Sequence, residues 1–267
     1  LPRSTKRGGA WMTNFREQYV DASGNDVRPI VVNVCNFTQP GDSVGLLTID
    51  EVSTAFHEFG HALHGMLSKC RFKDVSGTSV ARDFVETFSQ INENWAFQPE
   101  ILSTYAYHYK TGEVIPDSLV AKINKASRSN QGFMTAELTA ASILDMKWHE
   151  LAKDTDWSNF DVAAFEKKVC EEMGLIGEII PRYRSTYFNH IFNSGYNAGY
   201  YSYLWAEVLD KDAFEYWESK GLYNPKVASK FRKTFLEKGG SEEPMVLYHE
   251  FRGSDPDPDA LVRARGL

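Results

Sequence analysis

The chain of 267 residues predicts a mainly α fold with a small β-sheet near its N-terminus. Three observations carry that reading. IVVNVCNF at 30–37 is a β-branched run typical of a buried strand, and it follows the turn-forming stretch DASGNDVRP at 21–29. From residue 48 onward, apolar residues recur mostly at helical spacing between Pro and Gly punctuation. No repeat and no linker divides the chain, so 1–267 reads as one region.

Taken in order, a basic, glycine-containing opening precedes a stretch at 11–19 with strand character, which joins 30–37 in a hairpin or small sheet. A Pro- and Gly-containing loop at 38–45 leads to a helix that ends near Lys69. Thr48 and Glu51 form a T-x-x-E capping box at its start, and Phe56, Leu63 and Leu67 give it a buried stripe. A polar loop at 70–81 follows. Helices are then expected at 83–97, 100–110, 117–128, 133–153 and 159–173, with Pro116 and Gly174 marking two of the ends. A long helix at 200–219, one opened by Asn224-Pro225 and closed by Gly239-Gly240, one at 245–252 and a short last one complete the chain.

The chemistry concentrates in His57-Glu58-Phe59-Gly60-His61. Positions i and i+4 share a helix face, so His57 and His61 can present two imidazoles to one zinc ion, with Glu58 beside its open side as general base on an activated water. A catalytic zinc needs a third protein ligand. The segment RDFVETFSQINENW at 82–95 has apolar residues Phe84, Phe88, Ile91 and Trp95 at helical spacing, which leaves Asp83, Glu86, Gln90 and Glu93 on another face. Asp83 and Glu93 are candidates for orienting the two imidazoles. His64, two turns on from His57, is the remaining histidine nearest this site in sequence.

Four motifs, HEFGHALH at 57–64, SGTSVARDFVETFSQINENW at 76–95, PRYRSTYFNHIF at 181–192 and GYNAGYYSYLW at 195–205, resemble the M3 family of zinc metallopeptidases. The resemblance implies that 1–267 is the C-terminal, zincin-like catalytic region of such an enzyme, whose N-terminal half is a further partner. It implies Glu86 as the third zinc ligand, His190 and Tyr203 as donors to the developing oxyanion, and Tyr196 and Tyr200 as residues lining the cleft. Gly77 lies in a loop matching one that faces the active site, and the small sheet is expected to bind peptide in extended form.

Within the family, the six-residue step from His190 to Tyr196 matches the peptidyl-dipeptidase branch, which implies release of C-terminal dipeptides from short peptides. The alternatives are an endo-acting oligopeptidase, or a lobe that binds zinc without turning over by itself. Holding a free C-terminal carboxylate calls for cations or donors in this cluster, with Arg182, Arg184 and Tyr201 as candidates.

Lys and Arg number 29 against 36 Asp and Glu, a net charge of -7, and the basic residues are scattered, which argues against nucleic-acid binding. No apolar run is long enough to span a bilayer. Cys35, Cys70 and Cys170 lack CxxC spacing and read as free, buried thiols of a reducing, cytoplasmic compartment.

Overall fold

A computed structural model describes residues 5, 8–39, 41 and 44–267. Most of the basic opening and part of the 38–45 loop lie outside the described residues. Two strands, β1 (Ala10–Arg16) and β4 (Ile30–Cys35), pair antiparallel with Trp11 opposite Val34 and a register shift between Asn14 and Arg16. Between them, β2 (Tyr19–Val20) and β3 (Asp26–Val27) form a short ribbon. Asp21 closes its turn by accepting from the backbone N–H of Ser23 and Asn25. The strand expected to be buried is open on one face: Ile30 and Val32 are exposed, because a two-stranded sheet has only α1 to pack against.

The first helix, α1 (Ile49–Leu67), starts at the capping box: Thr48 Oγ1 accepts from Glu51 N–H, and the Glu51 carboxylate accepts from Thr48 N–H. Leu63 and Leu67 do turn toward the main core. The helix expected at 83–97 is broken. It divides into α2 (Arg82–Val85) and α3 (Thr87–Ala96), with Glu86 at the join. Ser89 Oγ donates to both the Glu86 carbonyl and its Oε2, and so holds the carboxylate at that join.

The helix α4 (Pro99–Tyr105) stops short of 110, because the chain folds back to bridge Tyr107 to Val114 around a left-handed Gly112. Beyond it, α5 (Asp117–Ala126) and α6 (Gln131–His149) follow, the second ending four residues before the expected 153. The expected 159–173 helix becomes a 3₁₀ turn at Trp157–Asn159 and then α7 (Val162–Glu172), capped by Asp161, whose side chain accepts from Ala164 N–H. A short α8 (Asn189–Asn193) leads into a glycine-containing loop and α9 (Ser202–Ser219). The helix opened by Asn224-Pro225 is α10 (Pro225–Phe231), continued by a π-helical turn at Arg232–Leu236; α11 (Pro244–Arg252) and α12 (Asp259–Arg265) close the chain. No helix among the described residues is long and apolar enough to cross a membrane.

One aromatic core unites α2, α3, α9, α10, the π turn and α11 through Phe84, Phe88, Leu209, Phe231, Phe235 and Phe251. A smaller core joins Ala141 of α6 to Phe188, Ile191 and Tyr200. The decisive approach is α1 on α3. At Gly60 a Cβ would stand 2.5 Å from the Phe88 carbonyl oxygen and 2.7 Å from Ser89 Cα, closer than any side chain tolerates. Asn92 Nδ2 then donates to the Phe56 carbonyl at 2.7 Å and ties the two helices.

Gly60→Ala should therefore force the helices apart and cost about 2 kcal/mol or more, as overpacking does. That corresponds to a melting point lower by roughly 5 °C for a chain of this size. Thermal unfolding by circular dichroism checks it, and an unchanged transition would contradict the close-approach argument.

Candidate metal centre and cleft

The α1–α3 contact brings the histidine face of α1 over the join before α3. His57 Nε2 lies 3.2 Å and His61 Nε2 3.1 Å from the same atom, Glu86 Oε2. Potential ligand atoms of His57, His61 and Glu86 all lie within 4.8 Å of one another. Two ligands about 2 Å from a tetrahedral ion stand about 3.3 Å apart, so the spacing fits a metal held between them. The donor set, two imidazoles and one carboxylate, is also that of an open catalytic site.

The remaining atoms of these side chains hold them in place. Glu86, 3% exposed, accepts from Ser89 Oγ on Oε2 and from the Tyr196 hydroxyl on Oε1. His57 Nδ1 lies 2.7 Å from Glu93 Oε1, and Ser53 Oγ donates to Glu93 Oε2 at 2.8 Å. Glu93 thus orients His57 from behind, with Nδ1 as donor and Nε2 left to face the cluster. Asp83, the other candidate for this task, instead accepts from the Tyr201 hydroxyl at 2.9 Å.

With Nδ1–H committed to Glu93, an ion pair between Nε2 and the Glu86 carboxylate 3.2 Å away requires a doubly protonated ring. Burial opposes that charge, but the bonds to Glu86 and Glu93 outweigh it and raise His57 to about 10. Burial also opposes ionisation of Glu86, yet the two imidazoles hold it well below its ordinary range. A cation in this position replaces the proton on His57.

A cleft of about 470 Å³ opens on the cluster. It is lined by His57, Glu58, His61 and Glu86, by Ala10, Trp11 and Met12 from β1, by Thr78 and Arg82, and by His190, Ser194, Tyr196 and Tyr203. Glu58 is 5% exposed, and its Oε2 is buried without a hydrogen-bond partner. Burial raises its pKa, opposed by the charges of His57 and His61. His190 presents a ring whose Nδ1 is buried and unpartnered; burial, then the Arg182 charge, lower its pKa, which keeps it neutral at pH 7. The Tyr203 ring stacks on Tyr196 at 5.2 Å, and burial followed by the Glu86 charge pushes both phenols up.

Other expected site residues sit elsewhere. Tyr200 is buried in the smaller core against Phe188, and its backbone N–H donates to Asp145 Oδ2 at 2.8 Å. Tyr201 faces Asp83 outside the cleft lining. Arg184 is ion-paired with Glu166 and so is already neutralised. The Gly77 backbone packs behind α1 against Gly65, with its N–H donating to Ser68 Oγ at 3.0 Å, while its neighbour Thr78 reaches the cleft. His64 is wholly buried on the Phe88 ring at 4.2 Å, and burial pushes its pKa down to about 3.

Two residues escaped the sequence reading. Asp145, wholly buried, accepts from the N–H of Ala198 and of Tyr200 and so anchors the loop before α9 to α6. A lone carboxylate in the stretch TAASILDMKW is the signal that identifies it. Arg82 lines the cleft, and its place four residues before Glu86 on one helical line was the clue.

The profile of Peptidase family M3 matches residues 1–267. The chain belongs to peptidase family M3. This M3 chain is 42% identical over 266 residues to the dipeptidyl carboxypeptidase of Escherichia coli strain K12, a match covering 99% of the chain and 38% of the relative. It is 39% identical over 273 residues to oligopeptidase A of the same strain, covering 99% of the chain and 39% of the relative. Saccharolysin of Saccharomyces cerevisiae is 32% identical over 271 residues, covering 100% of the chain and 37% of the relative. The M3 chain therefore spans less than two fifths of the length of these relatives.

Because the proton on His57 Nε2 competes with a metal, affinity for Zn²⁺ should rise about tenfold per pH unit from neutrality toward 10. In the metal-free protein the sign is opposite: the charged ring stabilises the fold below 6.5, and that contribution is lost as pH rises through about 10. Glu93→Gln should flatten the pH dependence of metal affinity and weaken binding by about 10- to 100-fold. Competition with a chromophoric chelator at stepped pH measures both; a pH-independent affinity would contradict the arrangement.

Proposed function

We propose that this chain is the catalytic part of a zinc-dependent peptidyl-dipeptidase that hydrolyses short peptides near a free C-terminus. One observation carries the proposal: two imidazoles and a buried carboxylate converge within ligand distance of one another, at a cleft that Glu58 also lines. The N₂O donor set suits zinc. Bound there by His57, His61 and Glu86, zinc supplies Lewis acidity, polarising the scissile carbonyl and lowering the pKa of water.

The chain's own groups do the rest. Glu58 takes the proton from the attacking water and returns it to the leaving amine, and a carboxylate raised by burial is matched to both tasks. His190, neutral at pH 7, and the Tyr203 hydroxyl donate to the oxygen that gains negative charge. Tyr196 keeps Glu86 oriented and, through its stacked ring, positions Tyr203. The Asp145 anchor on the loop preceding α9 limits how far these donors drift.

Dipeptide release is supported by the likeness to a dipeptidyl carboxypeptidase and by the six-residue step from His190 to Tyr196. The partner of this chain is the N-terminal half of the same enzyme, which walls the cleft; the exposed Trp11 and Phe15 of β1 and Val32 of β4 are the surface offered to it. The three unpaired thiols support a cytoplasmic setting. Of the expected burial, only Cys70 is fully buried; Cys35 and Cys170 are half-buried.

A mass-spectrometric digest of an unstructured nonapeptide tests the assignment. Zinc-loaded protein should remove C-terminal dipeptides in steps, and Glu58→Gln should slow this by about 10²- to 10⁴-fold. Internal cuts would assign the chain to the endo-acting branch, and equal rates for the Glu58→Gln variant would remove Glu58 from the chemistry.

A further inference from the structure

Resting on the peptidyl-dipeptidase reading, we infer that Arg82 is the residue that binds the free C-terminal carboxylate of the peptide and thereby sets where the cut falls. Among the described residues that line the cleft, Arg82 is the sole Lys or Arg. Among the described residues it has no acidic partner: Arg184 is paired with Glu166, Arg252 with Asp212 and Arg265 with Glu207, but no such ion pair reaches the Arg82 guanidinium. An uncommitted guanidinium in a cleft otherwise furnished with Glu58 and Glu86 is suited to an anion that arrives with the ligand.

Its position is built, not incidental. The guanidinium carbon rests 4.6 Å above the centroid of the Tyr196 ring, a cation–π contact that holds the fork without using its donors. The loop before α9 leaves room for it. A Cβ on Gly195 would stand 3.3 Å from Arg82 Nη2, in a backbone conformation with φ +82° that already disfavours side chains. A Cβ on Gly199 would touch the Arg82 stem at 3.6 Å. Gly195 therefore leaves room for the guanidinium, and the Gly199 backbone runs alongside the arginine stem.

The reach is right for two residues. The Tyr196 hydroxyl that ends the same ring donates to Glu86 Oε1, so the guanidinium lies within about 10 Å of the metal-ligating carboxylate. Two extended residues span about 7 Å, the distance from a scissile carbonyl to the carboxylate two residues beyond it. Two residues beyond the cut are thus long enough to carry a free carboxylate from the metal cluster toward Arg82. Arg184 is excluded by its ion pair, and Arg182 lies outside the cleft lining, with its charge beside Tyr183 and Tyr200.

The test measures binding, so that turnover does not enter. In a zinc-loaded Glu58→Gln background, which leaves substrate uncut, a nonapeptide with a free C-terminus and its C-terminal amide are titrated by calorimetry. The background protein should bind the acid about 10- to 100-fold more tightly than the amide, the range of a charged hydrogen-bonded pair. Adding Arg82→Met should abolish that preference by weakening the acid alone, Arg82→Lys should restore part of it, and Arg182→Met should leave it intact. Equal weakening of acid and amide by Arg82→Met, or loss of the preference in Arg182→Met, would overturn the assignment to Arg82. No preference in the background protein would instead refute the peptidyl-dipeptidase reading, and the carboxylate role of Arg82 with it.

Discussion

The close packing of α1 on α3 is the constraint from which the rest follows. Gly60 lets the α1 backbone approach Phe88 and Ser89, and Asn92 secures the contact through the Phe56 carbonyl. At that separation Glu93 reaches His57 Nδ1 and Glu86 reaches Nε2 of both histidines. A Cβ at position 60 would stand 2.5 Å from the Phe88 carbonyl oxygen, so the helices would have to separate and the Glu86 contacts of 3.1–3.2 Å to both histidines would lengthen. The geometry of the metal centre is thus a consequence of helix packing and of one missing Cβ.

The same short helix serves the other wall of the cleft. Gln90 Nε2 donates to the Tyr203 carbonyl at 3.1 Å and Asn94 Nδ2 to Asp210 Oδ1 at 2.6 Å, so α3 holds α9 as it holds α1. Tyr196 bonds Glu86 directly, and Asp145 fixes the intervening loop from α6. Polar residues of α3 that look like a solvated face in the sequence are the struts joining three elements around the cleft. These bonds offset much of the cost of burying them, although Gln90 Oε1 has no partner among the described residues.

Local chemistry was legible in the sequence wherever a rule acts over a few residues. The Thr48-Glu51 capping box, the shared face of His57 and His61, the Asn224-Pro225 start and the turn at Asp21 all stand where spacing places them. The break at Glu86 was not: there the backbone N–H bonds the Phe84 carbonyl and leaves the regular ladder, which no residue spacing in 82–95 signals. Long-range partners were equally hidden. Arg184 and Arg82 both lie in conspicuous motifs, but only tertiary structure reveals that Glu166 neutralises the first and that the second faces the cleft with no ion-pair partner among the described residues. Tyr200 and Tyr203 are three residues apart, yet only the latter lines the cleft, a distinction set by how α9 docks on the smaller core.

The central claim is that His57, His61 and Glu86 close on one metal ion. Diffraction from zinc-loaded crystals on both sides of the zinc absorption edge tests it most directly. A single anomalous peak about 2 Å from both Nε2 atoms and from the Glu86 carboxylate is the predicted result. A peak at another site, or none while His57 keeps its ion-pair contact with Glu86, would contradict it.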